Sequence, residues 1–502
     1  MDKKYILAID QGTTSSRALI FNSLGKVEYK SQVEVECLFP KEGWVEQNAL
    51  DVWVSVINVI NDALAKMNIT VDDIHAIGIT NQRETTVIWD KKTGMPVYNA
   101  IVWQSRQSAD ICEKWTKHKD LIHKKTGLIL NPYFSASKIR FILDHIENGQ
   151  QRAENGELLF GTIDTWLMYK LSKGKIHKTD VSNASRTMLY NITKLEYDNE
   201  LLKLFNIPRK MLPKVEESFA YFGDATFFKK GLRINGVAGD QQAALFGQNC
   251  FDEGQSKSTY GTGCFMLLNT GTKPVFSKNG ILTTIAWKLN GVTKYALEGS
   301  VFMGGACVQW LRDQLRLVKD AKETEKLALK VNDELGVYVV PAFVGLGAPY
   351  WDDDCKGSVF GLTRGTTKEH FARAVLNSIA FQVKDVIDVM EKEGNLKVSE
   401  LKVDGGATGN KYLMQFQSDI LQTKIVMPST LETTALGVAY LAGLGSQYWL
   451  SLDEIKKIHQ SREAYKPHMG IEEVNKKYDV WKKAVEVTRM FKWSIITSLT
   501  IK

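Results

Sequence analysis

Ala8-Ile9-Asp10-Gln11-Gly12-Thr13-Thr14-Ser15-Ser16-Arg17-Ala18-Leu19-Ile20-Phe21 reads as a strand, a glycine-threonine turn and a second strand. Thr259-Tyr260-Gly261-Thr262-Gly263-Cys264-Phe265-Met266-Leu267-Leu268 reads the same way. Each turn offers backbone N–H groups and threonine hydroxyls with little side-chain bulk, a tip suited to phosphate oxygens. One such turn carries little weight, because most only join strands. The same order of residues twice implies two related halves holding one nucleotide between them.

Outward from the turns, strand-like runs alternate with helix-like runs, the pattern of an α/β protein. Val52, Val56, Val59, Ile60, Ala63, Leu64 and Met67 fall on one face of a helix over 51–67, with Asp51 near its start. Ala76 to Thr80 reads as a buried strand, and Thr85 to Trp89 as another after the turn Asn81-Gln82-Arg83-Glu84. Gly236 to Gly239 is a strand that runs into a helix over 241–247. The division is expected just after it, giving halves 1–248 and 249–502 with a short connection and a close interface. The second half carries a strand over 337–341, a helix over 369–390, and a strand over 401–403 leading through Gly405-Gly406 to a helix near Asn410. A late amphipathic helix spans 471–491, with Ile471, Val474, Tyr478, Trp481 and Val485 on the face expected to pack on the core. The apolar end 494–502 has no assigned role.

The chain has 502 residues, enough for roughly two to four domains. Its 64 basic and 57 acidic residues give a net charge of +7, in scattered lysine pairs rather than a block. That excludes a nucleic-acid arm, while a mild positive field helps gather anionic substrates. Six cysteines form no C-x-x-C pair and no zinc spacing, as expected of reduced intracellular thiols. Cys264 reads as a small packing residue. The apolar run before Asp10 is too short for a signal-peptide core, and no run is long enough to span a membrane. A cytoplasmic protein is expected.

Asp10 ends a strand directly before the first turn. A carboxylate there can hold magnesium through water, or it can close an Asx turn. Asp240 follows Gly239 at the start of a helix. Position alone makes it an N-cap; backed by glycine at a strand end, it can also reach a substrate hydroxyl as a general base. Gly405-Gly406 leaves room for an adenosine across the turn, with Asn410 in reach. Arg83-Glu84 is either a surface ion pair or a donor and acceptor for neighbouring polyol hydroxyls. Trp103 and Tyr133 are core aromatics or walls for a carbon chain.

These motifs resemble the FGGY carbohydrate kinases of the actin-like and sugar-kinase ATPase superfamily. Asp10 to Arg17 looks like the family's first phosphate motif. Gly78 to Thr86 and Ile101 to Gln104 look like its polyol segments in the branch that acts on glycerol. Gly239 to Gln248 looks like the base-bearing segment, and Tyr260 to Phe265 and Asp404 to Ala407 like the second phosphate turn and adenosine motif. Gly357 to Leu362 fits a family signature, and the likeness runs from about Tyr5 to about Lys492.

The resemblance implies two ribonuclease H-like domains, each a mixed sheet flanked by helices, with a cleft between them. It implies ATP-dependent, magnesium-assisted phosphorylation of glycerol to sn-glycerol 3-phosphate, the step by which glycerol enters metabolism. Asp240 would be the base. Arg83, Glu84, Tyr133, Asp240 and Gln241 would bind glycerol hydroxyls, with Trp103 and Phe265 against its carbon backbone. Thr13, Thr14, Ser15, Arg17, Thr262, Gly305, Gln309, Gly406 and Asn410 would hold ATP or ADP, and Asp10 the magnesium. A homodimer or homotetramer is expected, without nucleic acid. The loop Phe227 to Arg233 lacks the glycine-rich run with which some bacterial members bind fructose 1,6-bisphosphate. Pro467 to Ile471 differs from the segment that bacterial members offer to a phosphotransferase regulator.

Two competing readings share the hairpins. A kinase of a pentulose or gluconate would need a roomier pocket than Trp103, Tyr133 and Phe265 suggest. An actin-like or chaperone-like ATP switch would need neither Arg83-Glu84 nor Asp240-Gln241.

Overall fold

The computed structural model describes residues 4–352, 354–459 and 461–491. Residues 494–502 and Lys492, where the family likeness ends, lie outside the described residues.

A sheet of six strands contains β1 (Tyr5–Gln11), β2 (Ser15–Phe21), β3 (Val27–Glu34), β4 (Ile74–Asn81), β5 (Gly223–Asp224) and β6 (Arg233–Gly239). A sheet of seven contains β7 (Ser256–Tyr260), β8 (Cys264–Gly271), β9 (Leu282–Leu289), β10 (Val292–Val301), β11 (Glu400–Asp404), β12 (Lys424–Pro428) and β13 (Ser461–Tyr465). The principal helices are α1 (Ala49–Lys66), α2 (Ser135–His145), α3 (Asp240–Gly247), α4 (Gly305–Asp313), α5 (Lys368–Gly394), α6 (Lys411–Leu421), α7 (Thr433–Gly445) and α8 (Ile471–Met490).

The two sheets repeat one plan. In the first the order is β5-β6-β4-β1-β2-β3, with β1 antiparallel to β2 and parallel to β4. In the second it is β9-β10-β8-β7-β11-β12-β13, with β7 antiparallel to β8 and parallel to β11. Each glycine-threonine hairpin therefore lies mid-sheet, and its first strand ends beside the end of a parallel neighbour. Ligand crevices in open α/β sheets form at such carboxyl ends. Asn81 and Gly239 end the parallel strands of the first sheet, and Asp404 ends that of the second.

Both faces of the first sheet are covered, which is why its strands read as nearly unbroken apolar runs. Leu7 and Ile9 join a buried cluster with Val52, Val56 and Ile60 of α1. Ile6 and Ala8 join another with Leu436, Val438 and Ala439 of α7. Gln248 lies between the last strand of the first sheet and the first strand of the second, yet α7 follows all but the last strand of the second sheet in sequence and packs on the first. The approach is tight: a Cβ on Gly437 of α7 would sit 1.8 Å from the Ala243 carbonyl of α3.

Local differences from the sequence reading have local causes. α1 begins at Ala49 because Asn48, not Asp51, caps it, its side chain accepting from Leu50 N at 2.9 Å. The strand after the Arg83 turn begins at Val87, because Thr85 and Thr86 hold the turn itself. On α8, Val474, Trp481 and Val485 are buried in the second core, while Ile471, in the first turn, is exposed.

The anchor of α8 is Asp385 on α5, which accepts from Tyr478 Oη at 2.6 Å and Trp481 Nε1 at 2.9 Å. Burial pushes its carboxyl up to about 7, against the pull of those two donors. The folded protein keeps this proton where the unfolded chain has already released it. The group's contribution to stability is therefore greatest below about pH 4 and declines as the pH rises to about 7. Asp385→Asn is expected to flatten that decline, read as melting temperature against pH beside the parent protein.

Candidate active site

The first hairpin tip closes through Gly12 N to Ser15 O at 2.9 Å and is tied to β3's end by Val35 N to Thr14 O at 2.9 Å. The second closes through Gly261 N to Gly263 O at 2.9 Å. Gly304 N and Ala306 N then donate to Thr262 O, and Gly305 N to Gly261 O, so this tip is sewn to the start of α4. Among the described residues, the N–H groups of Thr13, Thr14 and Thr262 donate to no backbone carbonyl. They remain as donors for an anion, as the sequence of the turns suggests. Thr14 and Thr262 are exposed, Ser15 is buried at the base of its hairpin, and Gln309 is exposed one turn beyond Gly305. Cys264 is buried in the core beneath Gly304, a packing role.

Asp10 is almost buried at the end of β1. Its nearest cation is Arg17, Nη1 at 3.6 Å, which also approaches Glu432 at 3.5 Å. Burial pushes the Asp10 carboxyl up to about 6; Arg17 pulls it down, and the charges of Asp240 and Glu432 add to the rise. No hydrogen-bond donor reaches it among the described residues. A buried, under-compensated carboxylate directly before the first glycine-threonine turn fits a hydrated divalent cation, which would supply the missing positive charge.

Asp240 is the first residue of α3, and Gly239 holds the cap position. Its carboxylate is one-third exposed, accepts from Gln241 N at 2.7 Å, and lies 3.0 Å from Arg83 Nε. Arg83 reaches that point by crossing Gly239, where a Cβ would stand 2.7 Å from its side chain. Arg83 and Glu84 are not a surface pair: both are almost wholly buried. Arg83 grips Glu298 of β10 with two bonds, 2.6 and 2.8 Å, and also donates to Gln242 at 3.2 Å. Glu84, held at a left-handed φ of 60°, accepts from Arg186 Nε at 2.5 Å. Arg186 also reaches Glu298 at 3.2 Å, which closes a buried quartet of two cations and two anions.

The two carboxylates of the quartet differ. Burial favours the neutral form of each. At Glu298, Arg186 and Arg83 outweigh burial and hold the carboxyl at about 2. At Glu84, burial outweighs the same two cations and the carboxyl is raised. Glu298 accepts three charge-assisted bonds and Glu84 one, which accounts for the direction in each case.

Trp103 Nε1 donates to Thr13 Oγ1 at 2.8 Å, so the indole is fastened to the first glycine-threonine turn. Trp103 meets Tyr133 edge-on, with ring centroids 5.3 Å apart. Tyr133 precedes α2, and its carbonyl accepts from the buried Lys138. Phe265 is half-buried on β8, opposite Ser300 in register. Gly405, at φ 94°, turns β11 toward an exposed Gly406. Asn410 is committed locally: its Oδ1 caps α6 at Leu413 N, 2.9 Å, and its Nδ2 donates to Thr324.

The sequence reading passed over Arg186, Glu298 and Lys257. Each is a charge inside an otherwise small or apolar run, and a buried charge demands a partner. Lys257, wholly buried on β7, donates to Gln241 Oε1 and to Thr259 Oγ1 at 3.1 Å.

Among known proteins, the N-terminal domain of the FGGY family of carbohydrate kinases matches residues 5–247, and its C-terminal domain matches residues 257–446. The chain belongs to the FGGY family of carbohydrate kinases. A glycerol kinase of Bacillus licheniformis is 56% identical over 495 residues, covering 98% of this chain and 100% of that one. A glycerol kinase of Listeria monocytogenes is 55% identical over 497 residues, 98% of this chain and 100% of that one. The crystal structure of Plasmodium falciparum glycerol kinase with ADP superposes with a TM-score of 0.92 at 38% identity, covering 96% of this chain and 98% of that chain. Gluconate kinase from Lactobacillus acidophilus has a TM-score of 0.86 at 22% identity, covering 96% and 97%, a likeness of fold alone.

Removing one member of the quartet leaves its partners charged and buried, at a cost of about 3–5 kcal/mol. Glu298→Ala is therefore expected to lower the thermal midpoint clearly, whereas Lys30→Ala, which breaks a half-exposed pair with Glu432, leaves it nearly unchanged.

Proposed function

We propose that this protein transfers the γ-phosphoryl group of ATP to a terminal hydroxyl of glycerol, giving sn-glycerol 3-phosphate. The observation that carries the reading is the convergence on Arg83. One guanidinium touches the Asp240 carboxylate and is anchored through Glu298 to the other half of a chain that aligns end to end with glycerol kinases. In this reading 1–248 carries the first phosphate hairpin, the polyol site and the base, and 249–502 the second phosphate hairpin and the adenosine site.

Asp240 is the base that accepts the hydroxyl proton as the oxygen attacks phosphorus in line. Arg83 holds the carboxylate in place, and Glu84, Tyr133 and Gln241 engage the other hydroxyls. Trp103, Tyr133 and Phe265 enclose a small carbon chain. Thr13, Thr14, Ser15, Arg17, Thr262, Gly305, Gln309 and Gly406 grip the nucleotide, while Asn410 shapes the adenosine turn by capping α6. Asp10 holds magnesium, which when bound neutralises charge on the phosphates. Positioning and electrostatics supply most of the catalysis of such a transfer.

No helix among the described residues is long and apolar enough to cross a membrane. The need for ATP assigns the reaction to the cytoplasm, and a homodimer or homotetramer is the proposed assembly.

The direct test is ADP release with magnesium and ATP, in the presence of glycerol, xylulose, gluconate or no polyol. Strong stimulation by glycerol alone is expected. Turnover with a larger sugar instead would keep the mechanism and discard the small polyol pocket; turnover indifferent to all polyols would favour an ATP switch. Asp240→Asn is expected to cut kcat by about 10²–10⁴, with ADP affinity nearly unchanged by calorimetry. Parent-like turnover in that variant would remove Asp240 as the base.

A further inference from the structure

Lys257 stands apart from the roles assigned so far. It is wholly buried on β7, two residues before Thr259 and the second phosphate turn. Its ammonium donates to the Gln241 side-chain oxygen, on α3 beside Asp240, and to the Thr259 hydroxyl. One side chain thus bridges the base-bearing helix of the first half and the phosphate hairpin of the second. Burying an ammonium is costly, and a neutral residue could span a merely structural gap. The charge is sustained by its surroundings: Asp404 of β11, Asp240 of α3 and Glu298 of β10 favour it, and Arg83 opposes it.

An ammonium can only donate. The atom of Gln241 that faces it must be the carbonyl oxygen, which leaves the amide NH2 as the part free to meet a substrate hydroxyl. We propose that Lys257 is a positioning residue that fixes the orientation of the Gln241 carboxamide, so that Gln241 presents a hydrogen-bond donor to the polyol while remaining tied to the second phosphate hairpin. Burial lowers the lysine's own affinity for its proton, to a pKa of about 8, with Asp404, Asp240 and Glu298 pulling it back up. The ammonium is therefore the prevailing form at neutral pH. Without it the carboxamide is free to turn over, and the binding of glycerol loses a fixed donor.

The inference rests on glycerol being the substrate, and a double-mutant cycle tests the two separately. The parent, Lys257→Met, Gln241→Ala and the double variant are compared for kcat, KM for glycerol and KM for ATP. A parent that does not turn over glycerol would refute the proposed function. Given a parent that does, Lys257→Met is expected to raise KM for glycerol about tenfold, the loss of one hydrogen bond of ordinary strength, with KM for ATP within about twofold. The same change on top of Gln241→Ala is expected to have little further effect. Additive effects in the cycle, or equal shifts in both KM values, would overturn the positioning role. Should Lys257→Met fail to fold, Lys257→Gln serves in its place. Its side chain is uncharged and one atom shorter, so a raised KM for glycerol with KM for ATP nearly unchanged is again expected, and equal shifts in both KM values would equally overturn the inference.

Discussion

The buried quartet of Arg83, Arg186, Glu84 and Glu298 is the interaction on which the arrangement of the site depends. Arg83 and Glu84 come from the turn after β4, Arg186 from the segment beyond the short helix Val181–Ala184, and Glu298 from the middle of β10 in the other sheet. None of these charges can be left alone in the interior, so each fixes the position of the next. The left-handed Glu84 is held in an uncommon backbone conformation because its side chain is tethered to Arg186. Arg83 is held flat over Gly239 because both its terminal nitrogens are bound to Glu298. The carboxylate of Asp240 then meets an arginine that has no freedom to move away.

Around that anchor the charges are unevenly compensated. Glu298 is over-supplied with donors; Asp10 is under-supplied. The under-compensated negative charge therefore lies beside the first hairpin, and the compensated charge lies in the buried quartet. Lys257 joins α3, through Gln241, to the second hairpin, through Thr259.

Local features were legible in the sequence because their causes are local. The two turns are visible as Gly-Thr pairs between apolar strands. Asp10, Asp240 and Gly405 are visible because strand ends are marked by abrupt changes of residue type. The pairing of the quartet was not legible. Arg83 and Glu298 meet only through the register of two separate sheets, and adjacency in sequence made Arg83-Glu84 look self-sufficient. Asn410 shows the converse: its place at a helix start was readable, but its side chain is engaged by α6 and Thr324. Ile471 has helical spacing with Val474 and Trp481, yet lies in the exposed first turn of α8, where periodicity no longer dictates burial.

The course of α7 has a consequence for how this molecule is made. Ile6, Ala8 and Ala76 face a helix that begins only at Thr433. On the ribosome the first sheet emerges early, yet one of its two faces lacks its main covering helix until almost the entire chain has been synthesised. The halves that share one architectural plan are therefore not independent folding units. An amino-terminal fragment ending near Gln248 would expose an apolar sheet face, and such surface favours aggregation. Shape is duplicated along this chain, but autonomy is not.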